Sequence, residues 1–199
     1  MKVVVIGAGG DVGRTVCAEL SKRHDVIKVG RNSGDYHADM TDMASLQRLF
    51  QAVGEIDAVV VTAGSVVFSD LQDISQEDFM YALSNKVMGQ VNVVLAGMQH
   101  VRDGGSFTLT NGLLDQHPVP KGVGAATANA ALAGFAAAAA IEMPRNIRLN
   151  VVSPGLLDIS FERYGPTLKG HDYVPSEVVA AAYAESVEGS ASGQRLIGE

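Results

Sequence analysis

Three glycines near the start of the chain have the spacing of a phosphate-binding turn. Gly7, Gly10 and Gly13 follow a short apolar run and open a helical pattern. A strand, a tight turn and a helix direct backbone N–H groups and the positive end of the helix dipole at a pyrophosphate. Gly7 permits the sharp turn, Gly10 the close approach of phosphates, and Gly13 the packing of helix against strand. The pattern predicts a dinucleotide site, although simple strand-to-helix turns also carry it.

The other residues of this turn complete the predicted contact segment. Gly9, Asp11 and Val12 lie between the key glycines, where their backbone would face the nucleotide. A carboxylate beside a pyrophosphate would repel it, so a direct role for the Asp11 side chain is unfavourable. We therefore favour Asp11 as the N-cap of the first helix.

A second polar group follows the next apolar run. Arg31, Asn32 and Ser33 stand where NAD-selective sites place an acidic residue against the ribose hydroxyls. A guanidinium can instead pair with a 2′-phosphate and stack on adenine, and the other two side chains add donors. These residues favour NADP(H) over NAD(H), with an ordinary surface arginine as the alternative.

Composition limits the classes of function. The 199 residues are 47% hydrophobic and 19% charged, as expected for one globular α/β domain covering residues 1–199. The net charge of −7 argues against nucleic acid as a partner. Cys17 is the only cysteine, which excludes an internal disulfide and a cysteine-based zinc site. We predict no metal site, no membrane-spanning segment and a cytoplasmic location.

Short β-branched runs alternate with longer helical patterns, which predicts a doubly wound parallel sheet of the Rossmann type. The predicted strands are Lys2–Ile6, Asp25–Val29, Ala58–Thr62, Ser106–Thr110, Arg148–Val152 and an edge strand Gln194–Ile197. The predicted helices are Val12–Ser21, Asp42–Val53 capped by Thr41, a long helix from its cap Ser75 to about Met98, an alanine-rich helix from Ala125 to Ala140, and Pro175–Ser186.

The connection after the second strand is unusually short. Only Arg31 to Tyr36 separates that strand from His37-Ala38-Asp39. A parallel crossover that contains a helix needs roughly a dozen residues or more. The usual helix between strands 2 and 3 is therefore predicted to be missing or much reduced, and the third strand to be rudimentary.

Over nearly its whole length the chain resembles the short-chain dehydrogenase/reductase family. The turn fits the Gly-x-x-Gly-x-x-Gly variant of that family. Further similar segments are Asp39-Met40-Thr41-Asp42, Asp57 to Gly64, Ile147 to Gly155 and Ser192-Gly193-Gln194. In the family, parts of these segments contact adenine, the adenosine ribose and the nicotinamide; the corresponding residues here are Asp39 and Met40, Ala63 and Gly64, and Pro154 and Gly155, in that order.

The resemblance also shows where the catalytic residues should be. The family uses a tyrosine acid, a lysine, a serine and an asparagine, and the alignment replaces them here by Ala125, Asn129, Gly112 and Lys86, respectively. Lysine and asparagine have exchanged helices, which could keep one ammonium and one amide near the nicotinamide ribose. Lys86 and Asn129 are the candidate catalytic residues on this hypothesis; the alternative is that Lys86 is a solvated helix residue.

No residue in the sequence is an obvious replacement for the tyrosine. Segments that flank the substrate cleft in the family contain four candidate acids: His117, Lys121, Tyr164 and Tyr173. Thr110 and Asn111 are neutral donors that could polarise a carbonyl without supplying a proton.

Two functions follow from the resemblance. The first is an NADP(H)-dependent oxidoreductase that acts on a small carbonyl or alcohol substrate with a non-standard active site. The alternative is a catalytically inactive NADP(H)-binding sensor or partner subunit. The resemblance also implies a homodimer or homotetramer, built through helices Ser75–Met98 and Ala125–Ile141.

Overall fold

The computed structural model describes residues 1–166 and 172–198 and contains a seven-stranded parallel sheet. Its strands are β1 (Lys2–Ile6), β2 (Asp25–Gly30), β3 (Tyr36–His37), β4 (Ile56–Val61), β5 (Val101–Thr110), β6 (Arg148–Pro154) and β9 (Arg195–Gly198). They lie side by side in the order β3-β2-β1-β4-β5-β6-β9. Two short strands, β7 (Leu156–Leu157) and β8 (Tyr173–Val174), form a separate parallel pair. The predicted doubly wound sheet is confirmed.

Helices cover both faces of this sheet. They are α1 (Asp11–Leu20), α2 (Met43–Val53), α3 (Gln76–Ala82), α4 (Gly89–Gly97), α5 (Val123–Ala140), α6 (Phe161–Tyr164) and α7 (Ser176–Glu188). The core on one face is shared with α2, α4 and α5, and the core on the other with α1 and α7. The central strands are apolar because both of their faces are buried.

Strand β1 is the point where the strand order reverses. It pairs with β2 on one side and with β4 on the other, so that Val5 lies opposite Lys28 and Val60. In open parallel sheets, the crevice beyond the carboxyl ends of the strands at this point is where ligands bind.

The short connection after β2 behaves as predicted. Within the described chain no helix lies between β2 and β3, and β3 has only two residues. Its two pairings, Val29 with Tyr36 and Gly30 with His37, extend the edge of the sheet next to β2. The reduced crossover helix and the rudimentary third strand are both confirmed.

The first residues of two helices differ from the sequence prediction. Gly10, and not Asp11, occupies the N-cap of α1, so Asp11 is already the first helical residue. Asp42 caps α2 by accepting from Ala44 N, whereas Thr41 donates its hydroxyl to Asp39 Oδ1 at 2.7 Å. Both cap predictions were wrong by one residue, because sequence alone does not fix where helical backbone angles begin.

The long helix after Ser75 contains an irregular segment. Ser75 caps α3 in a reciprocal capping box with Asp78, as its position predicts. Between α3 and α4, Leu83–Met88 forms a π-helical segment, so the helical path is continuous but locally wider. Segments of this kind occur often at functional sites, and this one contains Lys86.

The alanine-rich helix α5 is long and apolar enough, by length and composition alone, to span a membrane. One such helix is weak support for a membrane location, because core helices of soluble proteins meet the same criterion. Leu132 and Ala136 of α5 are buried in the core beneath the sheet. We interpret α5 as a core helix, and the cytoplasmic location stays a prediction.

Candidate nucleotide cleft and active site

A cleft of about 640 Å³ opens beyond the carboxyl ends of β1, β4, β5 and β6. The glycine turn forms one end of it, and Lys86, Asn111 and Asn129 form part of its wall. Pro154 and Gly155 line it from the end of β6. The cleft therefore lies at the switch point of the sheet and joins the predicted nucleotide residues to the predicted catalytic residues.

The glycine turn has the geometry of a phosphate cradle. A Cβ added to Gly7, whose φ is +90°, would fall 2.8 Å from Ala63 N, so only glycine fits beside β4. A Cβ on Gly10 would meet nothing closer than 3.5 Å, which leaves space in front of the turn. The first N–H groups of α1 face outward without helical partners. These residues fit a bound pyrophosphate.

A smaller depression of about 130 Å³ adjoins the turn. Arg31, Asp39 and Met40 line it together with Ala63 and Gly64, as the resemblance implies for an adenosine site. The Arg31 Nε atom lies 3.8 Å from Asp39 Oδ2, and two hydrogen bonds from Thr41 lower the pKa of the Asp39 carboxyl. The Arg31 side chain is 66% exposed, so it can reach a ligand phosphate.

Asn32 and Ser33 have a different position from that expected. Both are exposed in the turn after β2, and neither is among the residues that line the two depressions. Ser33 instead packs near Gly30, where a Cβ on the glycine would meet Ser33 O at 2.7 Å. Their predicted nucleotide contacts stay predictions.

Lys86 is partly buried, and its ammonium has defined partners. Its Nζ atom donates to Asn129 Oδ1 at 2.7 Å and to the backbone carbonyl of Asn111. Gly64 permits this path, because a Cβ there would fall 2.8 Å from Lys86 Cγ. The structure thus brings the exchanged lysine and asparagine together.

Burial lowers the pKa of Lys86 to about 8, and the charge of Asp115 partly opposes this shift. At neutral pH the group is therefore predominantly an ammonium with three hydrogens. Two of the hydrogens are used by Asn111 and Asn129. The third is available to an oxygen of a ligand in the cleft.

Asp11 links the glycine turn to the segment after β7. Its carboxylate accepts from Ser160 Oγ at 2.8 Å, lies 3.4 Å from Arg163 Nη1 and is also paired with Arg14. Its side chain is only 11% exposed. The carboxylate is thus used in a clasp that holds α6 over the cleft, and two guanidinium groups offset its charge.

The four candidate acids do not share one location. Among them only Tyr164 lines the cleft. Lys121 forms an ion pair with Asp70 at 3.0 Å, and Tyr173 packs edge-on against Phe161. His117 is exposed in the segment between β5 and α5 and does not line the cleft.

The donor candidates after β5 also differ. The Thr110 hydroxyl is used within the fold, since it donates to Val61 O at 2.6 Å and bonds the Tyr183 hydroxyl at 2.7 Å. Asn111 lines the cleft, and its amide nitrogen is buried without a hydrogen-bond partner among the described residues. Of these two donors, only the Asn111 amide is therefore without a partner among the described residues.

Sequence reasoning missed several residues at this site. Ser160 and Arg163 lie in the cleft wall, and Ser153, Asp115 and Arg195 form a polar cluster behind Asn111. The only signal for this cluster in the sequence is Arg195, a charged residue inside the predicted edge strand Gln194–Ile197. Among residues 1–166 and 172–198, no group of three or more His, Cys, Asp or Glu residues is arranged to hold a metal ion.

The switch-point cleft and the glycine cradle together define a Rossmann nucleotide-binding protein. A family profile described as "Enoyl-(Acyl carrier protein) reductase" matches residues 2–182. The chain belongs to the short-chain dehydrogenase/reductase family.

Two solved structures illustrate this relationship. The protein lin1944 from Listeria innocua is 42% identical with a TM-score of 0.97, over 99% of this chain and 98% of that one. A small-chain dehydrogenase solved in complex with NADPH is 26% identical with a TM-score of 0.86, over 99% and 95% of the two chains.

Curated relatives are more distant. The hydroxynaphthalene reductase-like protein Arp2 of Metarhizium brunneum is 27% identical in an alignment of 177 positions that covers 76% of this chain. The match covers 66% of the length of that relative, just under two thirds. Its activity therefore supports a proposal for this chain, and no more.

Proposed function

We propose that this protein is an NADP(H)-dependent oxidoreductase that acts on a small carbonyl or alcohol substrate. One observation carries the proposal: a single cleft connects the glycine cradle to Lys86, whose ammonium still has one hydrogen to donate. NADP(H), when bound, supplies or accepts the hydride, while the protein supplies orientation and electrostatics.

The preference for NADP(H) rests on Arg31 and on a relative. The exposed guanidinium lies beside the adenosine depression, where it can pair with a 2′-phosphate. A 26% identical dehydrogenase was solved with NADPH, which supports the same cofactor here. Asp39 is already bonded to Thr41 and lies 3.8 Å from Arg31, so its carboxylate does not compete strongly for the ribose.

Lys86 takes the part of the ribose-binding lysine in this proposal. Its backbone belongs to the π-helical segment between α3 and α4. Its ammonium nevertheless donates to the side chain of Asn129, which stands at the family's lysine position. The ammonium donates its third hydrogen to a ribose or substrate oxygen. A neutral amine has two hydrogens, and both would be used by Asn111 and Asn129, so only the charged form can act.

The substrate end of the cleft is apolar on one side. Val66, Phe68, Leu113 and Leu114 line it. A flat or fused-ring ketone would bury its rings there and place its oxygen near the polar cluster. The reductase name of the Metarhizium brunneum relative is consistent with such a substrate.

Tyr164 is the candidate acid in this proposal. It lies in the cleft wall on α6, and the Arg163 guanidinium sits 5.4 Å from the centre of its ring. Ala125, the position that the alignment gives to the family's tyrosine, lines the same cleft. Water is the alternative source of the proton.

The second candidate function is a nucleotide-binding sensor or partner subunit without turnover. It is favoured by Ala125 and Gly112, since neither side chain can donate or accept a proton. Both residues line the cleft beside Asn129. In this case the cradle binds NADP(H) and the complex itself is the signal.

Fluorescence titration with NADPH and NADH, followed by absorbance at 340 nm with 2-tetralone, acetophenone, benzaldehyde and cyclohexanone, separates these functions. We expect tighter binding of NADPH and turnover of at least one aromatic carbonyl. Tight binding without turnover would support the sensor. Absence of binding to both nucleotides would contradict both functions.

A further inference from the structure

The turn after β5 contacts both members of the exchanged pair. The backbone carbonyl of Asn111 accepts a hydrogen bond from Lys86 Nζ. The next residue, Gly112, has a φ of +143°, and a Cβ there would fall 2.9 Å from Asn129 Nδ2. At the position of the family's serine, glycine backbone therefore packs directly against the Asn129 amide. The position of this two-residue turn fixes where the acceptor for Lys86 lies.

Arg195, on the edge strand β9, is bonded to both residues of this turn. One of its terminal nitrogens donates to the backbone carbonyl of Gly112 at 2.7 Å. Its Nε atom donates to Ser153 Oγ at 2.6 Å, and the Ser153 hydroxyl donates to Asn111 Oδ1 at 2.7 Å. One guanidinium therefore holds Gly112 directly and Asn111 through a single hydroxyl. A planar group with five N–H donors can make these bonds at once.

Asp115 fixes the orientation of this guanidinium. The two side chains form a bidentate pair at 2.7 Å for each bond, and they are only 10% and 18% exposed for Asp115 and Arg195. Burial acts to raise the pKa of Asp115, but the hydrogen bonds and charge of Arg195 outweigh it and keep that pKa below its usual value. A largely buried ion pair adds little net stability, because desolvation offsets the attraction. Its place behind the turn therefore calls for another role.

Asp115 also acts on Lys86 through its charge. Burial lowers the pKa of Lys86 to about 8, and the negative charge of Asp115 works against that shift. Within residues 1–166 and 172–198, Asp115 is the one charged group that shifts this pKa. The ion pair thus meets Lys86 in two ways: Arg195 holds the turn that carries its acceptor, and Asp115 favours its charged form.

We propose that Arg195 is a positioning residue for the Lys86 ammonium: with its partner Asp115, it holds the Asn111–Gly112 turn against Lys86 so that the third ammonium hydrogen stays directed at the bound nucleotide. Neither Arg195 nor Asp115 is among the residues that line the cleft, so both act through the turn and not by touching the ligand. The inference rests on the proposed function and adds to it the residues that hold its lysine in place.

A double-mutant cycle separates positioning from a merely structural role. Arg195→Lys keeps the charge, but one ammonium cannot hold Asp115, Ser153 and Gly112 in the same geometry. In fluorescence titration, R195K should raise the Kd for NADPH about fivefold, whereas in a Lys86→Met background it should raise it less than about twofold, because the group it positions is gone. Equal effects of R195K in the two backgrounds, or no effect in either, would overturn the positioning role.

Arg148→Lys is the matched control for this cycle. Arg148 is also a strand arginine, and its guanidinium donates to the backbone carbonyls of Ser186 and Val187 at 2.7 and 2.8 Å. Its replacement perturbs the fold in a similar way without reaching the turn after β5. Its effect on the Kd for NADPH should be small and the same with and without Lys86. A coupling to Lys86 as large as that of R195K would count against a specific role of Arg195.

Ser153→Ala is a milder variant that leaves the Arg195–Asp115 pair in place and removes only the link to Asn111. It should raise the Kd for NADPH about threefold when Lys86 is present and leave it unchanged in the K86M background. Ser106→Ala is its control, because Ser106 is also a fully buried strand serine and its hydroxyl has no partner among the described residues. Equal affinities in S153A and S106A would contradict the path through Ser153.

A pH profile tests the part of Asp115. Only the charged form of Lys86 has a hydrogen left for the ligand, so NADPH affinity should fall as the pH rises through about 8. Asp115→Asn removes the charge that favours the ammonium, so this fall should occur at a pH lower by about half a unit. Asp103→Asn, which also removes an aspartate paired with an arginine, should not move the midpoint. Equal midpoints in D115N and D103N, or an upward shift in D115N, would overturn the role of Asp115.

Failure of the inference differs from failure of the proposed function. A wild type that binds no NADPH, or a K86M variant that binds it as tightly as the wild type, refutes the proposed function. A wild type that binds NADPH, a K86M variant that binds it more weakly, and effects of Arg195 that add to those of Lys86 would together refute the positioning role alone.

Discussion

Lys86 Nζ lies 2.7 Å from Asn129 Oδ1, and this bond joins the π-helical segment before α4 to the alanine-rich helix α5. The resemblance to the family places a lysine on the second helix and an asparagine on the first. Here the two residues are exchanged, but their functional groups meet at one point in the cleft. The arrangement conserves an ammonium–amide pair while reversing which helix supplies each part.

The exchange of lysine and asparagine between the two helices predicts how variants at these two positions bind NADPH. Lys86→Asn should weaken NADPH binding about 10-fold, since a hydrogen bond to a charged donor is worth roughly 1.5–3 kcal/mol. The double variant K86N/N129K restores an ammonium from the other helix and should recover most of the lost affinity. Fluorescence titration of NADPH measures both.

The control for the swap is Lys22→Asn, which removes an exposed lysine of α1 paired with Glu19. Its NADPH affinity should equal that of the wild type. If K86N alone has unchanged affinity, Lys86 does not contact the nucleotide, and its role in the proposed function is refuted.

The buried ammonium also predicts a pH dependence of stability. The pKa of Lys86 is lowered by burial from 10.5 to about 8, so folding disfavours its charged form. This penalty is fully present below pH 8, decreases as the pH rises, and is absent above pH 10.5. Its upper limit is about 3 kcal/mol. Between pH 8 and 10 the wild type should therefore gain free energy of unfolding relative to Lys86→Met in urea denaturation.

Lys22→Met serves as the reference for this measurement, because Lys22 is exposed and its contribution should be small. The difference between wild type and K22M should stay nearly constant over the same pH range. A wild type that loses stability relative to K86M above pH 8 would show the opposite sign and contradict the burial argument.

Local patterns predicted much of the fold and of the nucleotide half. The glycine turn, the buried strands and the missing crossover helix each depend on residues adjacent in sequence, and the structure confirms them. The cap predictions were wrong because the observed caps, Gly10 and Asp42, each precede or follow the predicted Asp11 and Thr41 by one residue. At a helix start, a single residue decides whether a side chain caps or turns outward.

The substrate half could not be predicted in the same way. Ser153 meets Asn111, and Arg195 meets Ser153, only after β5, β6 and β9 have assembled. No local sequence pattern predicts these two hydrogen bonds. The π-helical segment is equally hidden, because its wider turn depends on packing against neighbouring elements and not on propensity. The resemblance to the family identified Lys86 and Asn129, but not the contact of Lys86 with the backbone carbonyl of Asn111.

Cofactor selectivity provides a third prediction. Arg31→Ala should raise the Kd for NADPH about 10-fold and leave that for NADH within twofold, since only NADPH carries the 2′-phosphate that a guanidinium pairs with. Arg48→Ala is the control, because Arg48 is also an exposed arginine near an aspartate, 3.8 Å from Asp42. Equal weakening for both nucleotides would indicate stacking on adenine and remove the basis for NADP selectivity.

Exposed apolar side chains along α3, the π-helical segment and α4 predict a surface through which copies of this chain associate. Tyr81, Met88 and Leu95 recur every seven residues along α3 to α4, and each is about half exposed. We propose that this stripe and the exposed side of α5 form a homo-oligomer interface. Leu95→Glu should shift light-scattering mass toward the monomer, whereas Leu71→Glu, an exposed leucine outside the stripe, should not. A monomeric wild type of 20.8 kDa would refute the interface.

The Asp11 clasp predicts that a carboxylate in the glycine turn limits nucleotide affinity. Asp11→Asn keeps an oxygen for Ser160 but removes the charge that pairs with Arg14 and Arg163. Both guanidinium groups then become available to a pyrophosphate, and the repulsion is removed. NADPH affinity should rise about threefold at low salt, and the gain should shrink as salt increases. Titrations at two ionic strengths measure it, with exposed Asp25→Asn as the control. Weaker binding in D11N would instead show that the clasp itself must be charged to keep α6 over the cleft, and would overturn the view that this carboxylate opposes the nucleotide.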